Sequence, residues 1–225
     1  MIGQAAERRG KSVKFIGYNG CPPVMGTGRI AQYSTCFTHN QNVVKYLVSH
    51  PEITTVILAS RWSVFTEGYD ADYGPEKKTD PTYITDASGA VMEAQDRRAL
   101  FASKMAETVT ALTRAGKTVV LLYPIPETGY DIPQTLAAWL LTTGNPATFT
   151  RPADHYFNRQ KFVFQVFDEL QPAGAKLVRI YPHQRLCDET ECIVYADGKP
   201  LYRDGDHVSL AGAEYLSPLF EPVFQ

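Results

Sequence analysis

The sequence predicts a three-layer, doubly wound α/β sandwich on a parallel sheet, and three observations carry that reading. Residues 54–60 and 117–123 are unbroken β-branched and apolar runs, the composition of strands covered on both faces. A third such run stands at 175–181. Segments of helical period alternate with these runs, and strand–helix alternation builds parallel sheets with helices on both sides. At 225 residues the chain suits one domain of generous size, 1–225, with no internal repeat.

Taken in order, residues 1–9 read as a helix with Ile2, Ala5 and Ala6 on one side and Gly10 as its stop. Residues 12–17 read as a strand, and 18–23 as a tight loop, because Asn-Gly favours a turn and paired prolines deny a helix. A helix over 39–49 presents Val43, Val44, Leu47 and Val48, and the strand at 54–60 follows. Residues 66–93 are rich in Gly, Asp, Pro and Tyr and form a long excursion with a small hairpin around Asp86–Gly89. A long helix over 94–115 ends at Gly116, and the strand at 117–123 is broken by Pro124 and Pro126. Residues 124–153 make a second excursion with a helical turn at 134–141. Asp154 caps a helix to about Leu170 whose inner face is Val163, Val166, Phe167 and Leu170. The last strand, 175–181, leads to a turn at Asp204–His207 and a closing helix from Leu210.

Composition narrows the function. Hydrophobic residues make up 44% and charged residues 20%, as in an ordinary globular protein. A net charge of -2 offers no basic footprint, which argues against nucleic acid and anionic membrane surfaces. No apolar run approaches the roughly 20 residues of a membrane span, and residues 1–10 lack the apolar core of a signal peptide. The four cysteines fall into two local pairs, Cys21/Cys36 and Cys187/Cys192. Such pairing favours two small disulfide loops and an oxidising compartment, with an export signal ahead of Met1. The rivals are free thiols and a zinc site including His183, and the spacing is not that of zinc ligands.

The chemistry gathers in the closing turn. Asp204 stands three residues before His207, a spacing that lets a carboxylate fix the imidazole tautomer and stabilise the imidazolium. Asp-x-x-His alone arises by chance in roughly a quarter of chains this long, so position has to carry the inference. The turn follows the last strand, and in a doubly wound sheet the ligand edge lies at the carboxyl ends of the strands. Ser209 reads as the cap of the final helix and Asp206 as a turn residue. His39, His50 and His155 read as helix-end or solvent side chains. Tyr69, Tyr73 and Tyr83 are aromatic candidates for a carbohydrate groove.

Four segments in order carry a family resemblance: Gly20-Cys-Pro-Pro23, Val56-Ile-Leu-Ala-Ser-Arg-Trp62, Tyr123-Pro-Ile-Pro126, and Leu186-Cys through Cys192 to Asp197-Gly-Lys-Pro-Leu-Tyr-Arg-Asp-Gly-Asp-His-Val-Ser209. The chain resembles the SGNH (GDSL-like) hydrolase domain found fused behind acyltransferase-3 membrane domains in bacterial peptidoglycan and lipopolysaccharide O-acetylases. That resemblance implies a flavodoxin-like SGNH fold, Asp204 and His207 as catalytic acid and base, and a periplasmic or other extracytoplasmic location. It implies an acylated or acyl-accepting glycan as partner, with a fused or associated acyltransferase-3 membrane domain, and neither cofactor nor metal. It points to the Gly20 backbone for the oxyanion. Where many SGNH enzymes place an Asn, this chain has Arg61-Trp62, so Arg61 and Trp62 are pocket candidates. For Trp62 a half-buried structural role weighs equally, and for Arg61 a salt bridge to a loop carboxylate weighs more.

The sequence departs from the family at its start. The family's Gly-Asp-Ser-His block, which carries the nucleophile, is absent, and residues 1–9 align just past its place. The first, central strand is therefore expected to be missing, leaving two buried strand edges at about 1–3 kcal/mol per unsatisfied group. A few such groups rival a total stability of about 5–15 kcal/mol, so an N-terminally truncated domain or a substitute strand is expected. The leading expectation is an SGNH esterase or O-acetyltransferase domain, inactive without its serine. A non-catalytic glycan-binding module on the same fold is the alternative. A cofactor-binding flavodoxin-like protein ranks below both, since no Gly-rich phosphate cradle is present.

Overall fold

A buried apolar strand needs a ladder to satisfy its backbone, and the centre of this chain supplies one. A computed structural model describes residues 1–30, 33–68, 82–172 and 177–225. In chain order the elements are α1 (Ile2–Glu7), β1 (Gly28–Arg29), α2 (Tyr33–Ser49), β2 (Thr55–Leu58), α3 (Trp62–Thr66), β3 (Ile84–Thr85) and α4 (Ala94–Arg114). They continue with β4 (Thr118–Leu122), α5 (Ile132–Thr143), β5 (Thr150–Pro152), α6 (Ala153–Glu169), β6 (Leu177–Ile180) and α7 (His183–Leu186). Last come β7 (Glu191–Ile193), β8 (Tyr195–Ala196), β9 (Lys199–Pro200), α8 (Leu210–Leu216) and a 3-10 segment over Ser217–Phe224.

Strands β2, β4 and β6 form a parallel sheet with β4 in the middle, in register from Thr55 opposite Thr118 to Leu122 opposite Ile180. Because successive side chains of β4 face opposite ways, its apolar run serves two cores. Val119 and Leu121 pack with α4 and α6 through Phe101, Met105, Val163 and Phe167. Val120 and Leu122 pack with Ala5 of α1 and Phe220 of the closing 3-10 segment. Helices on both faces of a parallel sheet make the expected three-layer α/β sandwich. Each fully buried Val, Leu or Phe contributes about 1.5–3 kcal/mol. Arg8 ties the outer layer together by donating to Ser217 Oγ at 2.6 Å.

Several expectations need correction. Residues 12–17 form no strand, and Phe15 is 90% exposed. A strand-like sequence becomes a strand only where its backbone can pair, and none of the described strands pairs with it. Correspondingly, the edge of β2 away from β4 has no strand partner among the described residues. Helix α2 starts earlier than expected, and Val48 is 46% exposed rather than part of its inner stripe. The helical turn at 134–141 is a full helix, α5, because Asp131 accepts from the Gln134 N–H and Gly144 closes the other end with φ +72°. Asp154 lies inside α6 instead of capping it, with Pro152 in the capping position. No local hairpin forms around Asp86–Gly89: a turn stands there, and β3 pairs antiparallel with distant β1. Tyr69 and Tyr73 lie outside the described residues.

Candidate active site

The closing turn is built by local hydrogen bonds. Arg203 N–H donates to the His207 carbonyl at 2.9 Å, and Tyr202 bridges Val208, which closes the loop between them. Inside it, Asp204 Oδ1 accepts the backbone N–H groups of Asp206 at 2.9 Å and His207 at 2.7 Å, the wiring that Asp provides in tight turns. Ser209 caps α8: its Oγ accepts from Gly212 N at 3.0 Å and donates to the Pro200 carbonyl at 2.7 Å. Gly212 itself allows no side chain, since a Cβ there would stand 2.0 Å from the Leu201 carbonyl oxygen. The helix is thereby pressed onto the strand that leads into the turn.

This wiring brings the expected pair together. His207 Nδ1 lies 2.9 Å from Asp204 Oδ2 and 3.1 Å from Oδ1. An ionised carboxylate only accepts, so the contact assigns the proton of the neutral ring to Nδ1 and leaves Nε2 as the basic nitrogen. The ring is 59% exposed. Burial works to raise the Asp204 carboxyl, but the two backbone N–H bonds and the neighbouring His207 prevail and bring it down to about 2.

Remote segments hold the turn from the other side. Thr128 N–H and Thr128 Oγ1 donate to the Gly205 carbonyl at 2.7 and 3.0 Å. Arg61, at the start of α3, places Nε 3.1 Å from Glu127 Oε1 and pairs through NH1 with Asp206 Oδ2. Arg159 of α6 donates from Nε to Glu127 Oε2 at 2.9 Å and from NH2 to the Gly68 carbonyl at 2.8 Å. Burial of Glu127 favours its neutral form, yet Arg159 and Arg61 outweigh that and hold its carboxyl below the usual range. The remaining oxygen of Asp206 faces His207 Nδ1 at 2.8 Å. Asp204, Asp206 and His207 thus bring three donor atoms within 4.8 Å, a set of ligand types that suits a divalent cation. In this arrangement those groups are engaged with one another and with Arg61.

The structure unites Asp204, His207 and Arg61, and the salt bridge expected of Arg61 is formed. Trp62 needs correction as a pocket residue: it is wholly buried, donates its indole N–H to the Leu122 carbonyl at 2.9 Å and meets Phe101 and Phe167 edge to face. Gly20 sits in a turn at φ +74°, with the Arg29 guanidinium packed over it. Tyr83 lies under the Arg97 guanidinium, 3.8 Å from ring centroid to cation. His183 is surrounded by the rings of Tyr156, Phe157, Phe164 and Tyr181, and burial lowers its pKa. Cys187 is bonded to Cys192, and Cys21 to Cys36, so neither pair is free for zinc. Sequence reading missed Glu127 and Arg159. A Glu directly after the Pro-Ile-Pro that ends a buried strand was the available signal.

Comparison with known proteins gives the geometry a context. No curated protein matches the sequence. In fold the chain is similar to the periplasmic domain of a lipopolysaccharide acetyltransferase from Salmonella ser. Paratyphi A, with a TM-score of 0.63, 15% identity, and coverage of 99% of this chain and 76% of that one. At that identity the likeness is one of fold. The sequence model of the SGNH domain (fused to AT3 domains) matches residues 1–222. With the doubly wound core and a His–Asp turn after its last strand in place, the chain belongs to the SGNH domain family described as fused to AT3 domains.

Proposed function

We propose that this domain is the acid–base part of an SGNH-type esterase or O-acyltransferase acting on acyl groups of an extracytoplasmic bacterial glycan, whether lipopolysaccharide, exopolysaccharide or peptidoglycan. The observation that carries the reading is the Asp204–His207 pair, with Nδ1 held by carboxylate and the ring exposed. Two disulfides, and a structural neighbour described as a periplasmic domain, support the location. Membership of a family described as fused to AT3 domains supports an acyltransferase-3 membrane domain as partner. No helix among the described residues is long and apolar enough to cross a membrane.

In the proposed reaction a serine hydroxyl attacks the acyl carbonyl while its proton passes to His207 Nε2. The imidazolium, stabilised by Asp204, returns that proton to the departing alcohol and leaves an acyl-serine. Water or a sugar hydroxyl then attacks the acyl-serine as Nε2 takes its proton, and the imidazolium returns that proton to the serine oxygen as the acyl–oxygen bond to serine breaks, giving hydrolysis or transfer. The Gly20 backbone N–H is the proposed oxyanion donor. The serine belongs to a strand-borne Gly-Asp-Ser block that this sequence lacks. The edge of β2 away from β4, unpaired among the described residues, is the proposed docking position for that strand.

The test is turnover of an activated acetyl ester. The chain as it stands is expected to match the buffer rate, and a longer form bearing the Gly-Asp-Ser block to hydrolyse the ester. His207→Ala in that form should lower turnover roughly 10²–10⁴-fold. Turnover by the shorter chain that vanishes in His207→Ala would overturn the need for a separate serine. A longer form that binds glycan but never turns over ester would favour the non-catalytic module.

A further inference from the structure

His207 Nδ1 faces two carboxylates. Asp204 Oδ2, its hydrogen-bond partner, is 2.9 Å away, and Asp206 Oδ1 stands 2.8 Å away as an ion-pair contact, so two carboxylates lie at nearly equal range of one ring nitrogen. The carboxylates differ in how they are held. The Asp204 side chain is 32% exposed and is fixed by backbone N–H groups of its own turn. The Asp206 side chain is 5% exposed, and its other oxygen pairs with Arg61, which is anchored by Glu127 in the loop after β4 and, through it, by Arg159 within α6. The turn is thereby keyed to the loop after β4 and to α6 through a side chain with one oxygen close to the imidazole. Arg61 also offsets the charge of Asp206, so what Asp206 offers the ring is chiefly direction, whereas the more exposed Asp204 offers charge.

We propose that Asp206 is a positioning residue for His207: locked by Arg61, it shares the Nδ1 proton with Asp204 and keeps Nε2 unprotonated and outward. The inference rests on the reading that Nε2 is the acid–base atom, but its test does not depend on turnover. An imidazole without such partners prefers the Nε2–H tautomer in water, so retention of Nδ1–H reports the carboxylates directly.

The experiment is a two-dimensional ring-nitrogen spectrum of the ¹⁵N-histidine-labelled chain at alkaline pH, where neutral imidazole prevails. The unaltered chain should show His207 as the Nδ1–H tautomer. Asp204→Asn should keep that tautomer as the major species, because Asp206 still accepts. Adding Asp206→Asn, or Arg61→Gln, to Asp204→Asn should lose it in favour of Nε2–H, whereas adding Asp206→Glu should keep it. Loss of Nδ1–H in Asp204→Asn alone, with the other histidine signals unmoved, would overturn the proposal. Retention in the Asp204→Asn/Asp206→Asn chain would overturn it equally. If the tautomer behaves as expected but no form of the protein transfers or hydrolyses acyl groups, the catalytic reading fails while the positioning role stands.

Discussion

Two loops beside the same sheet behave in opposite ways. Residues 12–17 are apolar enough to read as a strand, yet they form none, and Val13 and Phe15 stand in solvent. The turn over residues 203–207, rich in Asp and Gly, reads only as a tight turn, yet it is tied to two distant segments, to Thr128 and Gly129 through Gly205 and to Arg61 through Asp206. Apolar character gives no fixed position without a partner edge, whereas a few buried ion pairs can fix a polar turn. The first segment is held lightly, by Ile16 against the main core and by Lys14 Nζ donating to the Tyr46 hydroxyl at 2.8 Å. From Cys21 onward the loop is held by a disulfide to α2 and by Asn40, whose amide donates to the Pro22 and Val24 carbonyls at 2.8 and 3.0 Å.

The largest expected effect comes from breaking the wired side. Glu127→Gln leaves Arg61 and Arg159 without their shared countercharge in a buried site and should lower unfolding free energy by about 3–5 kcal/mol, read from urea denaturation. A loss below about 1 kcal/mol would mean that the ion pairs do not anchor the turn. Next in size is the boundary of the loose side. Replacing Cys21 and Cys36 with serine removes a loop closure worth about 3 kcal/mol for this spacing, and should also increase proteolysis near residue 20. Protease cleavage confined to the 203–207 turn would invert the comparison. The smallest effect is expected at Phe15. Phe15→Ser should change stability by no more than about 0.5 kcal/mol, the range for an exposed side chain. A drop of several times that in thermal or urea denaturation would show that the ring packs on something, and the contrast between the loops would fail.

By itself the sequence determined whatever depends on near neighbours. The runs at 54–60 and 117–123 became strands because their composition suits burial on both faces, and Gly116 ended α4 because it readily takes φ +79°. Cys187 and Cys192, five residues apart, met as a local loop. Asp204 and His207 met because three residues of turn suffice to bring a carboxylate to an imidazole. The family's order of segments then located this pair in a known kind of site. Tertiary structure decided what depends on distant partners. Residues 12–17 carry the pattern of a strand and pair with no strand among the described residues. Trp62, an even choice between pocket and core in the sequence, was drawn inward by Phe101, Phe167 and a carbonyl 60 residues away. Arg61 and Glu127 stand 66 residues apart, and Glu127 and Arg159 a further 32, so no local pattern could pair them. Asp206 looked like a turn residue beside the acid; only the fold brings Arg61 to one of its oxygens while the other lies 2.8 Å from His207 Nδ1.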